Sequence, residues 1–577
     1  MNEKVSRRGF LRTAGLGAVG LAAIGVTGCA PQAKEAAVEV KASSGDPLAS
    51  TSSTDWLGSA PEIDDNEVTE HLECDILVVG AGTAGHFAAM SAVESGARVV
   101  LIEKGAEGGF GIRYQLGAVN TQLQQTAPNP EGGVGVAIDR NGITEDFGRY
   151  ANYYNNADLV HLWYDKSGPI IDFYNDLERE AGLKPHFINL TAHPDASWME
   201  WPTGNEVLDE EEMKVWEPVE RYIAEGGADM RFETALVKLI REENGPVTGA
   251  YARKKDGDYL RIDAAKGVVV CTGGYAQNPE MMAALQPQTC ELYSYIAAPP
   301  TNTGDGIKAC LWVGAAQDPN HSAMLFERTM VPPDALGGVQ SVDVGKAAVW
   351  CAQPWLSVDL EGNRFCNEAG PYDYRLHAIS NRPGRTYVTL VDSNYEEHIR
   401  TYDTFGCSRN VVKNPTPQWD GEATTYSKDG VASLVKQLEA EDTYVQKADT
   451  WEELAGKLGL PADNLVATVA RYNELCEKGI DEDYGKDAYR MVPYTTPPFY
   501  GVRTTGRFLC TFDGIRINTQ MQALDADNNP IEGLYCAGND SGCYFDFTYP
   551  NIATGAAGGR SATFGWLAVK NALGETG

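Results

Sequence analysis

The stretch Cys74-Asp75-Ile-Leu-Val-Val79, then Gly80-Ala-Gly82-Thr83-Ala84-Gly85, then His86 to Glu94, then Ala97-Arg-Val-Val-Leu-Ile102-Glu103 decides the fold. Its periodicity predicts a buried parallel strand, a tight glycine turn opening a helix, and a second strand ending in an acid, which together make one βαβ unit. Each glycine has a physical job. Gly80 permits the turn, Gly82 lets backbone approach a pyrophosphate at the helix N-terminus, and Gly85 lets helix and strand pack closely. Thr83 and Ala84, which open the helix, are read with them as cofactor contacts. Glu103 is placed to accept hydrogen bonds from an adenosine ribose. The unit therefore binds a dinucleotide, and the choice between FAD and NAD rests on the residues beyond it.

The whole chain of 577 residues has room for several domains and a large cofactor. Its 61 glycines exceed the usual ~7% and show no Gly-x-y period, as expected where backbone packs against a cofactor. The net charge of −33 argues against binding nucleic acid or anionic lipid. Cysteines are scattered, with no Cys-x-x-Cys pair and no Cys-x-x-Cys-His, so the sequence carries no zinc, local iron–sulfur or attached-haem motif, and no metal site is expected. Such dispersion suits a fold made in a reducing cytosol.

At the amino terminus, Ser6-Arg7-Arg8-Gly9-Phe10-Leu11 and the apolar run Thr13 to Gly28 read as a twin-arginine export signal spanning residues 1–29. Val26-Thr27-Gly28-Cys29 resembles a lipobox. Two readings of Cys29 stand, a lipidated first mature residue or a chance cysteine after small residues. Because the twin-arginine route carries folded proteins, the resemblance implies a cofactor loaded before export. Residues 30–71, rich in Ala, Ser, Glu and Asp, read as a flexible tether.

Just after the ribose acid come Lys104-Gly105, Gly108-Gly109-Phe-Gly111 and Gly117-Ala118-Val-Asn120. This stretch resembles the flavin-contacting loop of the FAD-dependent fumarate reductase and 3-ketosteroid dehydrogenase superfamily. The likeness recurs in order: Thr234-Ala-Leu236-Val237 with Val247-Thr-Gly-Ala250, Cys271-Thr272-Gly273-Gly274, Thr303-Gly304-Asp305-Gly306, Ala537-Gly538, and a helix from about Gly555 to Gly565. It implies noncovalent FAD, with contacts from Lys104, Gly108, Gly109, Gly117, Ala118, Leu236, Val237, Thr272, Gly273, Asp305, Gly538 and Asn539. His71 and His86 are the histidines near enough to consider for covalent attachment. One departure stands out: where the family commonly has Glu after Ala-Gly, this chain has Asn539, with Asp540 next.

Dicarboxylates are best gripped by bidentate charged donors. The family's proton-donating Arg would fall four residues beyond Glu368, where this chain has Tyr372, with Arg375 close by; no Arg occurs from Ile517 to Gly559, and Leu509 and Cys510 stand at the histidine position. Pro371-Tyr372 and Tyr549-Pro550 instead resemble the tyrosine pair of the ketosteroid dehydrogenase branch. Gly555, counted back from Thr563, matches the family Gly whose N–H binds a substrate carbonyl, and Tyr150 is a further catalytic candidate. The resemblance implies that Tyr549 and a helix N–H polarise a carbonyl while Tyr372 protonates the α carbon. A phenol with an ordinary pKa of ~10 is the better acid than base at neutral pH, which favours reduction.

The expected fold is α/β, a Rossmann-like FAD-binding domain split in sequence (72–325 and 500–577) with an inserted α+β cap at 326–499. Within the cap, Val358 to Phe365 reads as a hairpin around Glu361-Gly362, and 451–457 and 464–478 as helices. An enone-like small molecule would lie between cap and flavin. With no redox centre of its own beyond the flavin, the chain would draw electrons from a separate partner, a membrane-bound cytochrome or quinone-linked protein. Competing functions are a steroid-type dehydrogenase running the other way, a fumarate- or urocanate-type carboxylate reductase, and a non-enzymatic electron carrier.

Overall fold

In the computed structural model of the chain, the described residues are 56–108, 115–127, 133–188, 195–198, 200–207, 215–338, 345–402, 416–417, 423–424, 434–440 and 443–575. The export signal, Cys29 and Gly109 lie outside them. The βαβ unit forms as strand Val68–Val79, helix Thr83–Glu94 and strand Val99–Ile102. Ile76 to Val79 and Val99 to Ile102 are buried, as apolar runs are in a parallel sheet covered on both faces.

Five strands of the first sheet run parallel, in the order Pro530–Cys536, Tyr259–Val270, Val68–Val79, Val99–Ile102, Asp229–Arg231. Thr234–Arg241, Val247–Lys254 and Gln522–Leu524 join antiparallel. Residues around 68–270 and 522–536, far apart in sequence, thus build one sheet. Val79 lies opposite both Ile102 and Val270, and Val270 opposite Cys536, so these strands end at one level. The turns after them, 80–85, 103–108, 271–274 and 537–541, open at one edge, where open α/β sheets take their ligands.

The C-terminal helix Ala556–Ala572 packs along Thr83–Glu94. Gly565 makes the approach possible, since a Cβ there would sit 2.1 Å from the Ala84 carbonyl oxygen. Ser91 Oγ also donates to the Trp566 carbonyl at 3.0 Å.

A second sheet is centred on Phe499–Thr511, which pairs with Ala323–Val331, Tyr387–Val391, Val445–Ala448 and Tyr293–Ile296. Its strands cross both expected edges of the 326–499 segment. The hairpin expected around Glu361-Gly362 is present, with Asp359 Oδ1 accepting the Glu361 and Asn363 N–H groups, each at 3.0 Å, and the expected helices appear as Trp451–Leu458 and Ala462–Lys478. Behind the hairpin, Arg364 is buried between Glu368 (2.8 Å) and Asp481 (2.7 Å).

The tether expected over 30–71 is corrected at its end. Trp56 is buried, and the strand begins at Val68, where Glu70 pairs with Arg231 at 2.7 Å and Lys254 at 3.1 Å. Alternating Val68, Glu70 and Leu72 extend the sheet edge. Composition hid this, because the stretch is polar on its exposed face. Among the described residues no helix is long and apolar enough to cross a membrane, and no cluster of His, Cys, Asp and Glu is arranged to hold a metal ion.

Candidate active site

Gly80 adopts φ 101°, and a Cβ there would lie 2.4 Å from the Cys271 carbonyl oxygen. At Gly85 a Cβ would fall 1.7 Å from the Gly80 oxygen, so only glycine closes this turn. Gly82 caps the helix without a side-chain bond, and a Cβ there would meet nothing within 4 Å. The first-turn N–H groups of Thr83 and Ala84 have no intrahelical acceptor, which suits the start of this helix to a pyrophosphate. These residues fit FAD.

The Glu103 carboxylate is half-buried at the end of its strand. It accepts the Ala81 N–H at 2.8 Å and the Gly105 N–H at 2.6 Å, tying the first turn to the second. Lys104 and Asp305, both expected at the cofactor, form an ion pair at 2.6 Å. Gly108 packs on Ala81, where a Cβ would meet the Ala81 Cβ at 2.9 Å. The ladder slips between Leu236 and Lys238, leaving Val237 as a bulge beside buried Leu236. Gly117 donates its N–H to the Gly555 oxygen at 2.7 Å, and buried Ala118 donates to Thr203 at 2.9 Å. Buried His86 is held by the Gly82 oxygen (3.1 Å) and Glu220 (3.2 Å).

In the turn after the last parallel strand, Asp540 ties two of the sheet-edge turns together. Fully buried, it accepts from Thr272 Oγ1 at 2.9 Å and from the Gly273 N–H at 2.6 Å. Burial pushes its carboxyl up to about 7. Gly538, at φ 65°, approaches Ala84 closely, while Asn539 Oδ1 turns to Arg560, accepting from Nη2 at 3.1 Å. An acid displaced by one position was the available signal.

On the substrate side, Tyr549 is buried, and its hydroxyl oxygen accepts the Ala557 N–H at 3.3 Å in the first turn of the C-terminal helix. Gly555, whose N–H is expected to bind a substrate carbonyl, caps that helix at φ 75°, a left-handed conformation that glycine takes without strain. Tyr372 is the first residue of the helix Tyr372–Ile379. Its neighbours reach both other tyrosines: Asp373 Oδ2 accepts the Tyr549 N–H at 3.3 Å, and the Tyr374 ring lies 5.6 Å from that of Tyr150. Tyr150, Tyr374 and Trp198 form an aromatic wall. The Tyr150 hydroxyl and Asp373 Oδ1 are buried with no hydrogen-bond partner among the described residues. Burial, then the charges of Tyr374 and Asp373, raise the Tyr150 phenol well above its ordinary value. Burial alone pushes Asp373 up to about 7. No local pattern marks Asp373, whose importance depends on burial.

Arg375 and Arg560, the arginines near the two tyrosine motifs, are both engaged. Arg375 donates to the carbonyls of Cys351, Gln353 and Glu368 and faces buried Glu327 at 3.5 Å. Arg560 donates to Gly538 and Ser541 carbonyls at 2.6 and 3.0 Å. Cys510, at the expected histidine position, has its thiol pushed up to about 12 by burial.

Residues 75–555 match the family described as FAD binding domain. The vinyl phenol reductase of Lactiplantibacillus plantarum is 26% identical over 489 residues, covering 84% of this chain and 93% of the relative. A probable fumarate reductase of Shewanella frigidimarina is 27% identical over 514 residues, covering 86% and 74%. Among solved structures, the 3-ketosteroid Δ1-dehydrogenase of Sterolibacterium denitrificans in complex with 1,4-androstadiene-3,17-dione superposes with a TM-score of 0.65 at 19% identity, covering 87% of this chain and 100% of that one. The glycine cradle and the match across most of the chain lead to one conclusion: the chain belongs to the FAD binding domain family and is an FAD-dependent oxidoreductase.

Proposed function

We propose that the chain is an exported reductase that saturates a carbon–carbon double bond conjugated to a carbonyl, drawing electrons from a separate cytochrome or quinone-linked protein. The observation that carries this reading is the Tyr549 hydroxyl at the start of the C-terminal helix, in a site whose nearby arginines are engaged by chain carbonyls. Such a site suits an uncharged oxygen. A free carboxylate would enter without a partner and lose its hydration. The named substrate of the vinyl phenol reductase relative is likewise a conjugated alkene without a carboxylate.

FAD, when bound, supplies the hydride for the β carbon. The Tyr549 hydroxyl donates to the substrate oxygen as enolate charge develops there, and the Ala557 N–H, donating to that same hydroxyl, strengthens it as a donor. Tyr372 gives a proton to the α carbon. Asp373 and Tyr374 keep the Tyr372 helix against Tyr549 and Tyr150. The cap formed by the second sheet closes over substrate and excludes water.

An anaerobic assay with reduced viologen dye tests direction. Dye oxidation on adding an enone should outpace acceptor-linked dehydrogenation of the saturated ketone, and the reverse order overturns the reading.

A further inference from the structure

Arg560 is completely buried in the C-terminal helix, and among the described residues no carboxylate pairs with it. Its partners are neutral: the carbonyls of Gly538 and Ser541, Ser541 Oγ at 2.8 Å and Asn539 Oδ1 at 3.1 Å. Nε has no partner. The rings of Tyr544 and Phe545, 5.7 and 5.3 Å away, wall it off from water. Burial pulls its basicity down to about 10, which leaves it charged at neutral pH. A desolvated cation without a counter-ion costs several kcal/mol, so such a charge is retained where an anion offsets it.

The anion belongs where Arg560 points. Two of its partners, Gly538 and Asn539, stand in the turn expected to touch the cofactor, at the sheet edge where Gly80, Glu103 and Thr272 converge. The N-terminus of the same helix adds positive potential of the same sign. We propose that Arg560 is the counter-charge of the flavin, stabilising the negative charge that the ring system acquires on reduction and so raising its potential. The balance is simple: oxidised flavin takes two electrons and one proton from a reductant, leaving one net negative charge on the ring. This proposal needs only bound FAD and stands apart from the tyrosine mechanism.

The test uses purified holoprotein and dye-equilibrated titration with dithionite. In Arg560→Gln the reduced-to-oxidised ratio at a fixed potential should fall at least tenfold, about 30 mV for a two-electron couple. Arg560→Lys should stay within threefold of the unmodified protein. Sulfite, an anion that bleaches flavin where positive charge is present, should bind at least tenfold more weakly to Arg560→Gln than to Arg560→Lys. Should Arg560→Gln fail to retain FAD, Asn539→Asp, which places a carboxylate against the guanidinium, should lower the potential in the same sense. An unchanged potential in Arg560→Gln or Asn539→Asp, or equal shifts in the Gln and Lys variants, overturns the proposal.

Discussion

Asp373 accepts the backbone N–H of Tyr549 at 3.3 Å, joining the helix that Tyr372 opens to the loop that carries the second of the two tyrosines proposed for catalysis. The contact is buried, so Asp373 stays protonated to higher pH than an exposed acid, up to about 7. Between the unfolded value near 4 and that pH the folded chain holds the extra proton. The stability this group contributes is therefore complete below ~4 and lost as pH rises through about 7. Asp373→Asn, which keeps the acceptor, should raise the melting temperature at pH 8 by about 2 °C or more relative to its effect at pH 5. Thermal melts at the two pH values check this, and equal shifts would show that the carboxyl is not strained by burial.

Glu103→Ala should weaken FAD by about 1.5 to 3 kcal/mol, roughly 10- to 150-fold in Kd. The loss has two sources, the ribose contact and the ties that hold Ala81 and Gly105 in place. Fluorescence titration of apoprotein with FAD measures it.

Arg364→Ala should cost about 3 to 5 kcal/mol of stability, because buried Asp481 would lose its guanidinium partner and buried Glu368 would keep only the longer Lys486 contact at 3.6 Å. Burial acts to raise the Asp481 carboxyl, but the Arg364 bonds outweigh it and hold it at about 2. Its contribution is present above ~4 and fades as pH falls toward 2. Denaturant unfolding at pH 7 and pH 3 should show the variant's deficit shrinking in acid.

The glycine turns at the sheet edge were legible in the sequence because they are written in backbone requirements. Gly80 and Gly85 must be glycine for steric reasons, and the runs Ile76 to Val79 and Val268 to Val270 announce a parallel sheet whose strand ends gather the turns. What could not be read were roles created by burial. Asp373 and Arg560 carry no local pattern, and each matters through what burial brings against it: Tyr549 and Gly538. The start of the fold was also hidden, since Val68 to Leu72 sit on a sheet edge where polar residues alternate with apolar ones.

The most direct test of the central claim is anaerobic stopped-flow oxidation of pre-reduced holoprotein by a panel of enones, vinyl phenols, steroids, cinnamates and fumarate. The unmodified protein should be oxidised fastest by an uncharged conjugated substrate and poorly by fumarate. Tyr372→Phe should slow that oxidation roughly 10²- to 10⁴-fold with FAD content unchanged, the range for a lost general acid, and Tyr549→Phe should slow it by removal of a donor to the developing enolate. Fumarate as the fastest oxidant, with both Phe variants near full rate, would contradict the account.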